Sequence, residues 1–331
     1  MSDVPCPITT DVDQAAHAIR SGKLVAFATE TVYGLGADAL NETAVARVFE
    51  AKQRPEFDPL IVHVAGRDWL ERLVVDIPDL ANELANEFWP GPLTLIFSKR
   101  DIVPDLVTSG IPTVAIRMPS HPQAIELLKK SDRPIAAPSA NPFGGISPTT
   151  SQHVLDGLGS RIDMILDGGP CAVGVESTVV SVLEETPAIL RHGGITQEQI
   201  EAVIGEVKTF DTSSPNTSAL SPGQLPSHYS PTTRLIMADD FDWTTIAASQ
   251  QISALVFDDA AKASLIKNAP TECFSTISVL SPSGDLTEAT AQFFAELRRL
   301  DASTATLIVA SNFPNRSLGR ALNDRLRRAC H

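Results

Sequence analysis

From residue 23 to residue 191, short runs rich in β-branched and aromatic residues alternate with amphipathic stretches of helical period. That alternation restricts the chain to a mixed α/β architecture, because each run is too short to bury a core without a helix beside it. Segments 23–29, 60–65, 93–98, 113–117, 164–166, 177–183 and 188–191 read as strands, and helices are expected near 12–21, 41–52, 79–88, 121–131 and 196–206. Residues 41–52 show the reasoning. Asn41 can cap, Glu42 suits the first turn, and Val45, Val48 and Phe49 share one face before Pro55 forbids continuation. The expectation over residues 1–210 is one twisted sheet flanked by helices.

Residues 211–231 are rich in Ser, Pro, Thr and Gly and show no apolar period, so they read as a linker. Beyond it, strand-like runs at 234–237, 252–257 and 304–310 alternate with helical ones at 259–267, 286–300 and 317–329. This is the pattern of a small Rossmann-like α/β domain over 232–331, and a chain of 331 residues can support two cores.

Lys and Arg number 26 against 40 Asp and Glu, a net charge of -14. Residues 1–210 carry 16 of the bases and 28 of the acids, so 16 - 28 = -12 of that charge lies there. A broad basic face for gripping nucleic acid is therefore not expected. Arg316, Arg320, Arg325, Arg327 and Arg328 form a local exception, read as a solvated helix end that complements the dipole, against an RNA or partner contact. Cys6, Cys171, Cys273 and Cys330 are scattered, without metal-ligand spacing, and read as free thiols. No long apolar run occurs, and the N-terminal residues lack the pattern of a signal peptide, so a cytoplasmic protein with no membrane partner is expected.

The basic residues left in an acidic domain are informative. Lys52 and Arg54 lie two apart in Lys-Gln-Arg-Pro, and Ser139 and Asn141 repeat that spacing in Pro-Ser-Ala-Asn. In an extended segment such residues point to one side, and two adjacent cations need an anion between them, such as a triphosphate. An isolated pair of this kind could equally be an exposed helix end. Arg117 and Arg191 each end a β-rich run, where strand ends in an α/β sheet face the ligand crevice. Gly34 and Gly36 follow a strand but lack the third glycine of a dinucleotide fingerprint, and no Walker A loop is present. They read as a turn or a close backbone approach, with the Thr29 and Thr31 hydroxyls nearby. Ser147, before Pro148, reads as a helix cap or a phosphate contact; His63 reads as a satisfied sheet histidine; Glu176 and Ser177 open a strand or touch a ligand. Neither a Ser-His-Asp nor a Cys-His constellation is evident, which leaves chemistry by positioning of charged substrates, as in nucleotidyl transfer with Mg²⁺ on the phosphates.

Taken in order, Thr-Glu-Thr-Val-Tyr-Gly-Leu-Gly at 29–36, the Lys-x-Arg-Pro and Ser-x-Asn boxes, Glu-Ser-Thr at 176–178, Leu-Arg-x-Gly at 190–193 and His-Tyr-Ser-Pro at 228–231 resemble the YrdC-type L-threonylcarbamoyladenylate synthases in their two-domain form. The resemblance implies a YrdC-like N-terminal domain that makes threonylcarbamoyl-AMP and pyrophosphate from L-threonine, bicarbonate or CO₂, and ATP. It further implies Mg²⁺ carried by ATP, no prosthetic group, and a downstream transferase that places the threonylcarbamoyl group on adenosine 37 of tRNA. By position, threonine would meet Thr31, His63, Arg117, the backbone at Ala137 and Ser177. ATP would meet Arg54, Asp58, Thr113, Ser139, Asn141, Ser147, Arg191 and Tyr229, with Lys52 and Arg54 as the catalytic cations and the 211–231 linker as a lid. Asp58 stands where the family usually has Asn, and a carboxylate there needs Mg²⁺ or a donor beside a triphosphate. The alternative is a module that senses ATP or binds RNA without catalysis.

Overall fold

The computed structural model describes residues 6–209, 228–246, 250–269 and 273–330. Two compact units emerge: Met1–Phe143 with Ser147–Ala172 and Glu176–Leu225, and Gly144–Ile146 with Val173–Val175 and Pro226–His331.

In the first unit the strands are β1 (Ile8–Thr9), β2 (Val25–Ala28), β3 (Tyr33–Asp38), β4 (Ile61–His63), β5 (Leu93–Ser98), β6 (Thr113–Arg117), β7 (Ile135–Ala136), β8 (Met164–Leu166), β9 (Thr178–Ser181), β10 (Ala188–Arg191) and β11 (Lys208–Thr209). Its helices are α1 (Val12–Arg20), α2 (Glu42–Lys52), α3 (Leu70–Leu73), α4 (Asp79–Phe88), α5 (Asp105–Thr108), α6 (Pro122–Ser131), α7 (Ser151–Leu158) and α8 (Gln197–Ile204). The strands join in one sheet of order β1-β8-β2-β3-β7-β4-β6-β5-β9-β10-β11, with parallel pairs such as β4 and β6 beside antiparallel pairs such as β5 and β6. The mixed sheet expected from the alternation is present.

Strand alternation divides the core. Val62, Ile116, Leu95, Phe97 and Val180 point into the main cluster, where α2 contributes Val45, Val48 and Phe49 and α4 contributes Leu84 and Ala85. On β2, Val25 and Phe27 pack instead with Ile19 of α1 and Leu127 and Leu128 of α6. A third cluster, Ile61, Ile96, Ala115, Val179, Ala188 and Leu190, is built from strand residues alone. The Asn41 side chain caps α2 by accepting the Ala44 N–H at 3.2 Å, and the helix ends at Gln53 in the left-handed conformation (φ 55°).

At 33–38 one of the two readings holds: the Tyr-Gly-Leu-Gly segment is strand β3, antiparallel to β2, not a turn, and its glycines serve a close backbone approach. Two glycines lower strand propensity, which hid it. A Cβ on Gly36 would lie 2.8 Å from both Ile135 Cγ2 and Phe27 Cε1, so glycine admits the side chains of β7 and β2 against the backbone of β3.

The second unit holds β12 (Leu235–Met237), β13 (Ile252–Val256), β14 (Phe274–Val279), β15 (Leu307–Ala310), α9 (Asp259–Asn268), α10 (Leu286–Asp301) and α11 (Gly319–Ala329). The strands form an all-parallel sheet of order β12-β15-β13-β14, a Rossmann-like arrangement with one strand, β14, more than the sequence predicts. The arginines of α11 are not all solvated. Arg325 is fully buried and Arg328 nearly so, both paired with Asp324 at 2.8 and 3.1 Å. A charge count along the helix does not show that this helix turns a guanidinium inward.

Replacing Gly36 with Ala overpacks β3, and a loss of about 1 to 3 kcal/mol in folding free energy is expected, measured by urea unfolding of the full chain. An unchanged midpoint would mean that Phe27 and Ile135 yield without cost.

Candidate functional site

Register builds the site. His63 lies beside Arg117 in the parallel β4–β6 pair, Arg117 lies opposite Thr94 on β5, and Thr94 lies beside Val179 on β9. These positions share one face of the sheet, with the strand-only cluster as its floor. Ser177, two residues before Val179, shares that face and hydrogen-bonds through Oγ to Thr94 Oγ1 at 2.7 Å. A bulge in β10 sets both Leu190 and Arg191 opposite Val179, so Arg191 stays on the site face where an unbroken strand would turn it away. Its Nη2 donates to Ser177 O at 2.9 Å and to Ser177 Oγ at 3.1 Å. The glycine after His192 has a similar origin: a Cβ on Gly193 would lie 2.3 Å from Glu176 O, so only glycine lets this segment lie against residues 176–178.

Arg117 ends β6 in a buried network. Its Nη2 pairs with Glu30 Oε1 at 2.6 Å, Nη1 donates to Thr31 Oγ1 at 2.9 Å, and Thr31 Oγ1 meets Thr29 Oγ1 at 2.8 Å. The Ser120 N–H donates to Glu30 Oε2 at 3.1 Å. Burial alone would raise the Glu30 carboxyl, but the Arg117 charge and these donors outweigh it and hold the group below its ordinary value. Sequence reasoning passed over Glu30. An acidic residue between two threonines of a strand-to-strand turn was the available signal. His63 packs edge-on to Phe27, its Nδ1 without a hydrogen-bond partner among the described residues. Burial first, and the Arg117 charge second, push its imidazole down to about 3, so it is neutral at physiological pH. It is a buried sheet histidine, as the sequence reading has it, with one ring nitrogen left unpartnered among the described residues.

The Lys52 and Arg54 pair is arranged differently from the extended spacing expected of it. Lys52 is the last residue of α2 and Gln53 turns the chain, so the two side chains diverge. Lys52 Nζ donates to Ser139 O at 2.5 Å and Asn141 O at 2.6 Å, while the Phe143 N–H donates to Lys52 O at 2.8 Å. The end of α2 is thereby stapled to the 139–143 loop. Burial, and then the charge of Arg54, hold the Lys52 amine well below its usual range. Arg54 pairs through Nη2 with Asp58 Oδ2 at 2.8 Å and donates to Asp58 O and Pro59 O at 3.2 and 2.9 Å, all of it buried. The donor that a carboxylate at position 58 requires is thus Arg54.

Ser147 does not cap a helix. Thr150 caps α7, accepting the His153 N–H at 3.3 Å, and Ser147 Oγ donates to Glu176 Oε1 at 2.5 Å. Asn141 is buried, with Nδ2 donating to Pro142 O at 2.8 Å. The Ala137 N–H is committed to Ile61 O at 2.9 Å. Thr113 lies at the start of β6, on the same strand face as Arg117 and, four residues away, about 13 Å from it. Tyr229 belongs to the second unit, at φ 65°, stacked on Phe294 with centroids 5.6 Å apart and beneath the Arg325 guanidinium at 5.2 Å. Of the expected linker and lid, residues 211–227 lie outside the described residues.

Residues 17–193 match the Sua5/YciO/YrdC family, whose description reads "Telomere recombination", and residues 195–330 match the family "Threonylcarbamoyl-AMP synthase, C-terminal domain". The threonylcarbamoyl-AMP synthase of Pyrococcus abyssi is 42% identical over 324 residues, covering 95% of this chain and 92% of that protein. That of Bacillus subtilis is 42% identical over 326 residues, covering 96% and 92%. The crystal structure of P. abyssi Sua5 complexed with L-threonine superposes with a TM-score of 0.86 at 38% identity, covering 96% of this chain and 94% of that one.

A carboxyl whose folded value lies below its unfolded value of about 4.3 adds stability above the unfolded value and loses it as pH falls through the folded one. Glu30→Gln, which leaves Arg117 buried without its counter-charge, should cost about 3 to 5 kcal/mol at pH 7 and less at pH 3, by urea unfolding at both. A cost independent of pH would mean that Glu30 holds its place by shape alone.

Proposed function

The chain belongs to the Sua5/YciO/YrdC family in its two-domain form, and we propose that it is a threonylcarbamoyl-AMP synthase, joining L-threonine, bicarbonate or CO₂, and ATP with release of pyrophosphate. The observation that carries this reading is the Arg117 network. A buried guanidinium presented by a strand end, oriented by Glu30 and Thr31 beside a neutral imidazole, is assigned to the amino-acid carboxylate, which would share it with Glu30. The same face supplies the Ser177 hydroxyl and leads along β6 toward Thr113.

In the proposed reaction Arg117 holds the threonine carboxylate. Uncharged His63 adds no second cation near the amine, which in its neutral form attacks CO₂; the N–C bond forms, a C=O π bond opens to the carbamate oxygen, and the amine proton passes to solvent. A carbamate oxygen then attacks the α-phosphorus of ATP, and the bond to the bridging oxygen breaks with pyrophosphate as the leaving group. Two anions must approach each other for this step, so Arg191 is assigned to the phosphates as a counter-charge, and Arg54, whose charge Asp58 already balances, as a hydrogen-bond donor to them. Ser139, Asn141, Ser147 and Thr113 are assigned to ATP as polar contacts. Lys52 is assigned a positioning role, holding the 139–141 carbonyls, in place of direct contact with substrate.

Mg²⁺ is proposed to arrive on the ATP phosphates as part of the substrate. Among the described residues no group of three His, Cys, Asp or Glu side chains is placed to hold a metal, and Asp58, Glu30 and Glu176 are engaged by Arg54, Arg117 and Ser147. The product would pass to a threonylcarbamoyl transferase that modifies adenosine 37 of tRNA. No helix among the described residues is long and apolar enough to cross a membrane.

Purified protein given ATP, Mg²⁺, L-threonine and bicarbonate should form threonylcarbamoyl-AMP and pyrophosphate, read by mass spectrometry, only when every substrate is present. ATP bound without turnover would instead return the sensor reading. Arg117→Lys, which loses the planar two-point grip on a carboxylate, should raise the KM for L-threonine by roughly 10- to 100-fold and change that for ATP far less.

A further inference from the structure

Among the parallel strands of the second unit, β13 and β15 are neighbours whose following connections diverge. β13 leads through α9 to β14 on one side, whereas β15 leads to α11, which packs against β12 on the other. The described residues of the crossover from β12 to β13 carry only two 3-10 turns, Ala238–Asp240 and Trp243–Thr245, where such a connection usually carries a helix.

A pocket of about 250 Å³ runs from the carboxyl ends of β12 and β15, at Asp239, Ser311 and Asn312, along Ser264 of α9 to Asn268 and to Trp243, whose ring meets Phe274 at the start of β14, above an apolar base. Its size lies just below the usual range of ligand pockets, roughly 300 to 1,000 Å³, which leaves room for a ligand no larger than one nucleoside. Trp243 is held edge-on by Phe241 and Phe274, with centroids 4.8 and 5.8 Å away. Ser311 donates its N–H to Leu255 O at 3.0 Å, but its buried Oγ has no partner among the described residues. Asn312 Nδ2 donates to Asp239 Oδ2 at 2.7 Å, which orients both side chains.

The lining disfavours a phosphate: no Lys or Arg is among its residues, although Lys262 and Lys267 stand on α9 beside Ala261 and Asn268. The amino terminus of α9, where a phosphate would otherwise sit, is filled by the Asp258 carboxylate, whose Oδ1 accepts the Ala261 N–H at 2.7 Å. Asp240 and Asp242 add negative charge beside Asp239 in the same crossover. An aromatic ring, two carboxamides, two hydroxyls and one carboxylate offer what a base face, a base edge and a ribose diol require.

We propose that this pocket binds a free nucleoside, with the base against Trp243, its edge read by Asn268 and Asn312, and the ribose hydroxyls donating to Asp239. None of these residues is among those assigned to ATP, and the test does not require turnover.

The chain has three tryptophans, and Trp69 and Trp89 belong to the first unit, so ¹⁹F NMR of full-length protein labelled with 5-fluorotryptophan isolates the pocket. The resonance assigned with Trp243→Phe should shift saturably as adenosine is added, while the other two stay in place. Asp239→Asn and Asn268→Leu should each weaken the apparent Kd by about tenfold, with the Trp243 signal still dispersed as in the folded parent. Adenosine 5′-monophosphate and a short oligoadenylate, which place phosphates beside the acidic rim, should bind about tenfold more weakly or not at all. Absence of a saturable Trp243 shift with adenosine would overturn the proposal, as would an undiminished Kd in both variants or equal binding of nucleoside and nucleotide.

Discussion

A buried guanidinium needs a counter-charge, and much of the first unit is arranged to give Arg117 one. An unpaired ion in a protein interior costs several kcal/mol, so a strand that ends on a buried arginine is tolerable only if a carboxylate is delivered to the same point. Glu30 is delivered by the turn between β2 and β3, with Thr29 and Thr31 completing the hydrogen bonds. The same β3 packs closely beside β2 and β7, and that close packing rests on Gly36, at the end of the hairpin away from the turn.

A similar logic holds at the end of α2. Lys52, Arg54 and Asp58 are polar groups placed where water is scarce, and each is met by backbone carbonyls or by the others. The consequence is mechanical. With Lys52 bonded to two carbonyls of the 139–141 loop, the loop cannot drift from the helix, and preorganised polar groups are what electrostatic catalysis requires. Side chains that read in sequence as ligand contacts are, in part, the struts that keep other contacts in place.

The second unit uses aromatic and cationic packing in the same manner. Tyr229 lies between Phe294 and Arg325, and Asp324 pairs with both Arg325 and Arg328. The pocket that starts at the carboxyl ends of β12 and β15 collects Trp243 and its polar neighbours.

Much of this protein was legible in the residues alone. Hydrophobic period and capping placed α1, α2, α4, α6 and α8 and the long strands β5 and β6, because those signals are local and repeat within a few residues. Motif order pointed to the family for the same reason, since Arg117, Arg191 and Ser177 sit at element ends that local patterns mark. The glycine-bearing β3 and the two-residue β7 were not legible, nor was the six-residue β14, since their pairing partners lie elsewhere in the chain. Nor were the partners of the charges: that Glu30 answers Arg117, that Arg54 answers Asp58, that Ser147 meets Glu176 and that Arg325 turns inward. The chain by itself determined which groups exist and the period on which they recur. Only the tertiary structure decided which of them meet, because sheet register, a single bulge at Leu190 and the burial that makes an unpaired charge intolerable are properties of contacts between segments far apart in the chain.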